Sequence, residues 1–433
     1  MKILVIGGGW SGIAAAIEAT KRGATLVVVE ERQYLGGRAR SFVDRISGDE
    51  IDNGQHVMMG CYRALLHVAQ TLGTEHLLER QASLRVAFVD SSSQIDILDS
   101  SALPGKRGLV LGLLRLRGIS VYARLSAIRL ALFISLGWAS GKGLTCAEFL
   151  RKHGQQADAI KRFWEPIVLA TINAPLSSAS AELLVSVMSL AFLGSSNDSQ
   201  ILIPTTGLSE LIRPFEKWLT ERGGRCIIGI GVEALEILDG KVCSVRLSNG
   251  TSIVADRVIS CIPQRALHRL LIGSDMNQLR AKATPSSPIV SVYLWYDKQW
   301  MPTDFVAALG TTVQWVFDKR RIQQGLVAVT VSAGSGIVME NSEDIVALCD
   351  AELRTLFPGM ASATFKRGFV IKEKHATPLL TPEMLQERPA ASELTSMASN
   401  LFLAGDWTAT GLPATLEGAA RSGVIASTAA LSQ

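Results

Sequence analysis

The sequence predicts an α/β fold, in which a Rossmann-like two-dinucleotide-binding domain is interleaved with a mixed α+β domain. Three observations predict it: a strand, glycine loop, helix and strand at the start of the chain, a return of short strands at residues 225–262, and a final strand and helix after residue 400. The chain has 433 residues and 48% apolar content, which is enough for two domains with sizeable cores.

The first elements form a βαβ unit. The apolar run from Lys2 to Ile6 predicts a buried parallel strand, and the Ala- and Ile-rich stretch from Ser11 to Arg22 predicts a helix. The β-branched run from Ala24 to Glu30 predicts a second strand. Such a unit favours a parallel sheet that begins at the amino end of the chain.

The later elements predict how the two domains alternate. Residues 61–199 are mostly helical and apolar in pattern, and residues 286–365 mix strands (Val290 to Tyr296, Leu326 to Ser332) with a helix from Glu343 to Phe357. Turn signals at Asp239-Gly240 and Asn249-Gly250 separate alternating strands, and the final strand (Leu401 to Ala404) and helix (Ala414 to Ala426) return to the first sheet. We expect the dinucleotide domain to comprise residues 1–60, 200–285 and 366–433, and a substrate domain to comprise 61–199 and 286–365.

Composition excludes several classes of protein. The net charge is +4, and no compact basic stripe with aromatic residues indicates a nucleic-acid partner. The opening apolar residues belong to the first strand and are too few for a signal peptide, which favours a cytoplasmic protein. The chain contains no CxxC or CxxH pair, which argues against a metal site. The cysteines are scattered along the chain, which indicates a reducing compartment. They are Cys61, Cys146, Cys226, Cys243, Cys261 and Cys349.

A glycine loop joins the first strand to the first helix. Its G-x-G-x-x-G spacing gives a tight turn, close approach of a pyrophosphate, and close packing of helix on strand. An acid at the end of the second strand can bind ribose hydroxyls, which makes a glycine turn without a ligand the weaker interpretation. We expect these residues to bind a dinucleotide: Gly7, Gly9, Trp10, Ser11, Gly12, Glu30 and Glu31.

Two further segments distinguish FAD from NAD. Gly36-Gly37-Arg38 resembles the segment of the amine oxidase and phytoene desaturase flavoprotein superfamily that contacts FAD phosphate and the flavin edge. The strand ending in Gly405 and Asp406, with the loop that follows it, resembles the superfamily's second cofactor segment, whose helix directs its amino terminus at the flavin. The resemblance implies FAD, held non-covalently because no cysteine follows Cys349, with contacts from Gly37, Arg38, Val232 (at the adenine), Gly405, Asp406, Leu412, Pro413 and Thr415.

The block Asp52-Asn-Gly-Gln-His56 is more specific. Together with Phe163-Trp-Glu-Pro-Ile167 and Gly405-Asp-Trp-Thr408, it resembles the squalene-associated flavoproteins called hydroxysqualene dehydroxylases. The resemblance implies reductive removal of an allylic hydroxyl from hydroxysqualene, giving squalene for hopanoid synthesis. It also places Gly54, Gln55 and His56 at the cofactor. No separate NAD(P)H module is evident, so an unidentified electron donor is an expected partner.

Such a reaction needs an acid for the departing hydroxyl. His56 is one candidate; the alternative is that it only hydrogen-bonds the cofactor or the backbone. Glu165 is the other, because a carboxyl in apolar surroundings has a raised pKa; the alternative is a salt bridge at a helix end. We interpret Glu417, on the last helix, as scaffolding for the cofactor domain.

Residues 103–142 form a basic apolar segment without any acidic residue. Its arginines recur too often for a spanning helix, so the pattern favours an amphipathic helix on a membrane surface, with a solvated charged face as the alternative. The apolar segments between Pro166 and Asn197 would line a tunnel for a long apolar substrate or form ordinary core.

Two other functions stay open. An oxidative desaturase of a polyisoprenoid or carotenoid would share every FAD motif and run the flavin in the opposite direction. A flavin-free protein binding at the membrane surface is the alternative from another class. An amine oxidase is disfavoured, because 6% aromatic residues supply little material for an aromatic cage.

Overall fold

The computed structural model describes residues 1–103, 105–271, 284–396 and 398–432. Residues 272–283, 397 and 433 of the predicted dinucleotide domain, and residue 104 of the basic apolar segment, lie outside the described residues. The described α-helices are α1 (Trp10–Lys21), α2 (Arg63–Leu72), α3 (Lys106–Arg115), α4 (Val121–Ser135), α5 (Cys146–Lys152), α6 (Ala157–Ala159), α7 (Glu165–Ile172), α8 (Ala181–Val187), α9 (Phe215–Thr220), α10 (Gln264–Leu270), α11 (Ser342–Leu356), α12 (Pro382–Gln386) and α13 (Leu416–Ser432).

The strands among the described residues form two large sheets and three small ones. They are β1 (Lys2–Ile6), β2 (Thr25–Glu30), β3 (Ser41–Val43), β4 (Glu50–Asp52), β5 (Met58–Met59), β6 (Leu78–Arg80), β7 (Arg85–Val89), β8 (Ile95–Asp99), β9 (Ile201–Pro204), β10 (Arg225–Ile228), β11 (Val232–Leu238), β12 (Lys241–Leu247), β13 (Ser252–Ile253), β14 (Arg257–Ser260), β15 (Ser286–Tyr296), β16 (Phe305–Ala308), β17 (Trp315–Asp318), β18 (Leu326–Ser332), β19 (Phe365–Pro378) and β20 (Leu401–Leu403).

The first large sheet is parallel and has the order β10-β2-β1-β14-β20. Between their end residues its strands are apolar, because both faces are covered. On one face Ile3 and Val5 pack with α1 and α13, and on the other Leu4 and Ile6 pack with the β11-β12-β13 sheet. The predicted βαβ unit and the return of the final strand are confirmed, and the sheet is Rossmann-like.

The second large sheet has the order β19-β15-β18-β17-β16-β7-β8 and is antiparallel except for the β16–β7 pair. Side chains alternate along β15. Val290, Val292 and Leu294 face α11, whereas Tyr293 and Trp295 face the segment around β4. The prediction of a mostly helical pattern over 61–199 missed β7 and β8, which form one edge of this sheet.

The structure alters two of the domain boundaries that the sequence predicts. The boundary at residue 366 would assign β19 to the dinucleotide domain, but this strand is hydrogen-bonded along β15. The boundary at residue 60 would separate α2 from the first sheet, but Leu65, Leu66 and Val68 pack in the same core as α1. We keep the division into two domains as a proposal and move these boundaries to the end of β19 and to the end of β6.

No helix among the described residues is long and apolar enough to cross a membrane.

Candidate functional site

The glycine loop lies where β1, β14 and α1 meet. A Cβ atom on Gly12 would lie 1.9 Å from the carbonyl oxygen of Gly7, so only glycine permits α1 to start this close to β1. A Cβ atom on Gly9 would meet no described atom within 4 Å. The loop is therefore closed where the protein packs on itself and open in front of the first turn of α1, where backbone N–H groups favour a phosphate.

The carboxylate of Glu30 holds this loop in place. One oxygen accepts a hydrogen bond from Gly8 N–H (2.7 Å), and the other accepts one from Arg32 N–H (2.8 Å). The backbone of residues 229–230 donates to the carbonyl oxygens of Arg32 and Glu30, which brings β11 and Val232 beside Glu31. The residues predicted at the ribose and adenine are thus neighbours, although their contacts with a cofactor stay a prediction.

The two segments that distinguish FAD from NAD meet directly. The Arg38 guanidinium donates to Asp406 Oδ1 (2.7 Å) and to the carbonyl oxygen of Ala376 (2.6 Å). Asp406 raises the pKa of Arg38, so the guanidinium is charged at any ordinary pH. The C-terminal segment is brought to the glycine loop by α13, whose Gly423 approaches the Ser11 carbonyl too closely for any side chain.

Arg388 is a residue of this region that the sequence analysis missed. Its buried guanidinium donates to the carbonyl oxygens of Leu412 (2.6 Å) and Asp406 (2.8 Å), which fixes both ends of the predicted cofactor loop. Burial lowers its pKa to about 10, opposed by Asp406. Its only sequence signal is a charged residue in front of Pro389, which is too common to identify it.

The Asp52-Asn-Gly-Gln-His56 segment is fastened to β15. The Tyr293 hydroxyl donates to the Asp52 carbonyl oxygen (2.9 Å) and accepts from Asp52 N–H (3.0 Å) and Gln55 Nε2 (2.5 Å). A Cβ atom on Gly54 would lie 3.6 Å from Ser291 Oγ and 3.7 Å from His56 Cε1. The segment therefore lies over the face of β15 that carries Ser291 and Tyr293.

The protonation state of His56 follows from its surroundings. Burial lowers its pKa, with Lys319 acting in the same direction and the Gly54 carbonyl and Asp52 opposing it. Its Nδ1 lies 2.9 Å from the Gly54 carbonyl oxygen, which can only accept, so Nδ1 carries the proton of the neutral ring. Nε2 is then an acceptor, which makes His56 a poor proton donor near neutral pH.

Lys319 is a second residue that the sequence analysis missed. Its Nζ lies 3.7 Å from Asp52 Oδ2, and its side chain is 18% exposed. Burial lowers its pKa, whereas the Asp52 carboxylate raises it. Asp52 also accepts from Ser41 Oγ and Leu208 N–H, so it anchors the segment to three parts of the chain.

The helix that carries Glu165 crosses one end of the seven-stranded sheet. Arg162 pairs with Asp90, which follows β7, and Asn173 at the other end of α7 donates to the Ser287 carbonyl oxygen of β15 (3.2 Å). Strands lie about 4.8 Å apart and a helix rises about 1.5 Å per residue, so this helix spans several strands, with Glu165 nearer its β7 end and Asn173 at its β15 end.

Glu165 has the properties that the sequence predicts for an acid. Burial raises its pKa, and Lys161 only partly opposes this effect. Its carboxyl forms no hydrogen bond or ion pair with any residue that the structure describes, so the expected alternative, a salt bridge, is absent from that part of the chain. Its role as the acid stays a prediction.

Glu417 is scaffolding, as predicted. Its carboxylate accepts from the N–H groups of Ala64 (3.1 Å) and Leu65 (3.0 Å), which caps the first turn of α2.

Among the described residues, no group of three or more His, Cys, Asp or Glu side chains is placed to hold a metal ion.

These features fit an FAD. The open space before α1 suits the pyrophosphate, Glu30 and Val232 lie together on the adenosine side, and the Arg38–Asp406 pair lies between the glycine loop and the sheet face under His56. The donors are charged or backbone groups already held by the protein, so little reordering is needed on binding.

Known proteins resemble the chain over almost its full length. It is 28% identical to a hydroxysqualene dehydroxylase from Sinorhizobium fredii, covering 99% of this chain and 98% of the relative. It is 30% identical to a hydroxysqualene dehydroxylase from Rhodopseudomonas palustris, covering 97% and 96%. A 15-cis-phytoene desaturase from Solanum lycopersicum is 22% identical, covering 98% and 76%.

Solved structures share the fold. An oxidoreductase from Methanosarcina mazei superimposes with a TM-score of 0.76 at 16% identity, covering all of both chains. The family profile described as flavin containing amine oxidoreductase matches residues 10–431. The chain therefore belongs to the flavin-containing amine oxidoreductase family and is an FAD-dependent oxidoreductase.

Proposed function

We propose that this enzyme removes the allylic hydroxyl of hydroxysqualene reductively and yields squalene. The observation that carries the proposal is the similarity over almost the whole chain to two hydroxysqualene dehydroxylases, at higher identity than to the desaturase. The site supports it chemically, because a half-buried carboxyl with a raised pKa lies above an apolar sheet face.

The reaction exchanges a C–OH bond for a C–H bond. Proton transfer to the hydroxyl releases water and leaves an allylic cation, and a hydride then forms the new C–H bond. The flavin, when bound and reduced, supplies the hydride. We assign the proton to Glu165, because burial raises the pKa of its carboxyl and so favours the protonated form, whereas His56 is neutral and presents an acceptor.

The residues around the two candidates exclude water from the cation. Phe305, Phe317 and Trp315 line the sheet face beneath α7, and Ile167 and Ile172 of α7 pack in the same apolar cluster. The neutral His56 and the segment held by Tyr293 then serve to position the cofactor edge. We propose Gln55 and Gly54 for the same task.

The direct test uses the holoenzyme reduced anaerobically with dithionite. Hydroxysqualene is added, flavin reoxidation is followed by absorbance, and squalene is quantified by gas chromatography with mass detection. We expect one squalene for each flavin reoxidised. A flavin that stays reduced while the substrate is untouched would contradict the proposal.

The oxidative desaturase is the second candidate, favoured by the similarity to the phytoene desaturase. It predicts the opposite result: the oxidised holoenzyme is reduced by a saturated stretch of a polyisoprenoid and forms a new double bond. The same instruments distinguish the two, because the flavin spectrum changes in opposite directions.

We also propose that the enzyme works at the cytoplasmic face of a membrane, in squalene and hopanoid synthesis, with a separate electron donor. The support is the outer face of α4, where Val121, Leu125 and Leu132 are exposed on one helical stripe together with Tyr122. The same segment of the chain carries several basic residues, of which Arg129 lies on the stripe: Lys106, Arg107, Arg115, Arg117, Arg129 and Lys142. An exposed apolar stripe in a basic segment suits the interface of an anionic bilayer.

Vesicle sedimentation tests the membrane proposal. The wild type should sediment with vesicles of phosphatidylglycerol and phosphatidylcholine, and a Leu125→Ser, Leu132→Ser double variant should lose most of this binding. A matched control, Leu348→Ser on α11, changes an equally apolar exposed residue elsewhere. Equal sedimentation of all three proteins would contradict the proposal.

A further inference from the structure

Three polar side chains form a row across the seven-stranded sheet. Ser291 on β15 is paired with Thr330 on β18, and Thr330 is paired with Trp315 on β17. Residues directly opposite each other in antiparallel strands point to the same face, so the three side chains are neighbours. On this face Ala328 and Tyr293 lie on one side of the row in one apolar cluster, and Trp315 packs into another with α7. Ser332 and Glu373, both opposite Ile289, also lie on this face.

Ser291 and Thr330 are buried and Trp315 is partly buried, and two polar atoms of the row have no hydrogen-bond partner among the described residues. Thr330 is 8% exposed and its Oγ1 has no hydrogen-bond partner among the described residues. The same holds for the buried Nε1 of Trp315. Buried polar atoms are nearly always hydrogen-bonded in native proteins, so two unsatisfied atoms on adjacent strands require an explanation.

The position of the row gives that explanation. Ser291, at one end, lies under Gly54 of the His56 segment. At the other end α7 crosses the sheet, anchored at Asp90 and at Ser287, with Glu165 nearer its Asp90 end. The row thus lies between the cofactor side and the helix of the candidate acid.

We propose that Thr330 and Trp315 bind the hydroxyl group of the substrate. The Trp315 N–H donates to the hydroxyl oxygen, and the Thr330 hydroxyl, which can donate or accept, completes its hydrogen bonds. This inference rests on the proposed function and adds to it the groups that distinguish the alcohol from the hydrocarbon. Once the hydroxyl has left, both atoms lose their partner, which favours release of the product.

Competitive binding to the oxidised holoenzyme tests the proposal without turnover. Radiolabelled squalene in detergent micelles is displaced by hydroxysqualene, and the ratio of the two affinities is measured. The wild type should prefer the alcohol, and Thr330→Val should reduce this preference about threefold to tenfold, the contribution of one hydrogen bond. Trp315→Phe should act similarly, whereas Thr330→Ser, which keeps the hydroxyl, should stay within about twofold of wild type.

Stability supplies a second measurement. Valine has the shape of threonine and suits a strand, so removal of an unpaired buried hydroxyl should leave the melting temperature of Thr330→Val unchanged or higher. A lower melting temperature would show that the hydroxyl has a structural partner, and it would overturn the proposal. An undiminished preference in Thr330→Val, or an equal loss of affinity for both ligands, would overturn it as well.

The outcome separates this inference from the proposed function. If the reduced wild type converts hydroxysqualene and Thr330→Val keeps its preference, only the assignment of Thr330 and Trp315 fails. If the reduced wild type leaves hydroxysqualene unchanged, the proposed function itself fails.

Discussion

The charged side chains around the glycine loop and the polar side chains on the sheet face under α7 differ in whether they have hydrogen-bond partners within the chain. Around the glycine loop, Glu30, Arg38 and Arg388 each bind two partners within the chain. On the sheet face, Thr330 Oγ1 and Trp315 Nε1 have no hydrogen-bond partner among the described residues. The charged groups of the first region are held by contacts within the chain, although Trp10 Nε1 and Arg388 Nε there also have no hydrogen-bond partner among the described residues. On the sheet face we propose a ligand as the missing partner. Substitutions should therefore affect folding in one region and selectivity in the other.

The largest effect is expected from the glycine loop. Gly12→Ala would place Cβ 1.9 Å from the Gly7 carbonyl oxygen, so it should lower the free energy of unfolding by about 3 kcal/mol or more and abolish flavin retention. Gly9→Ala meets no described atom and should fold normally, yet retain little FAD, because its methyl group occupies the space in front of α1. Thermal unfolding of the apoprotein and the ratio of absorbance at 450 nm to 280 nm measure the two effects. Normal flavin content in Gly9→Ala would refute this assignment of the open space.

The next effect concerns the acid. Glu165→Gln removes the proton and should lower kcat by about 10² to 10⁴, the usual contribution of a general acid. Because the pKa of Glu165 is raised and the acid must be protonated, the rate of the wild type should fall as pH rises through that pKa. Glu182→Gln, on the exposed face of α8, is the control and should keep the wild-type profile. An unchanged pH profile in Glu165→Gln would assign the proton to another group.

A smaller effect is expected at Arg388. Arg388→Met keeps much of the side-chain volume but leaves two buried carbonyl oxygens without their donor, which should lower the free energy of unfolding by about 3 kcal/mol. Urea unfolding of the holoenzyme measures it, with Arg151→Met on the exposed side of α5 as the control. Equal stability of the two variants would show that the loop is held by other contacts.

The smallest effect is expected at His56. Its pKa is lowered, so it is already neutral at pH 7, and the Nδ2 of asparagine can replace the donor that bonds Gly54. His56→Asn should therefore lower kcat/KM by less than about tenfold, far less than a lost general acid, with no change of the pH profile above about pH 7. A hundredfold loss with a shifted profile would instead make His56 the acid.

The comparison also explains what the sequence could predict. The glycine spacing and Glu30 are local requirements of one turn, so they are readable from a few residues. Glu165 was recognisable because a lone acid stood in an apolar run. The sequence did not identify Lys319, Arg388 or the Ser291–Thr330–Trp315 row. Each of them contacts a strand or loop more than a dozen residues away, and such contacts are not visible in a local pattern. The five-residue strands β7 and β8 were missed for a related reason: so short a period-two pattern identifies a strand only through its partners.

The strand order of the parallel sheet has a consequence for how the enzyme is made. β1 is paired with β14, and β14 with β20, which spans residues 401–403 of a 433-residue chain. A ribosome adds about 5 to 20 residues per second, so β20 is synthesised tens of seconds after β1, and the sheet cannot be complete before then. We therefore expect FAD to bind only after β20 has been synthesised, and a nascent chain stalled before residue 400 should emerge colourless.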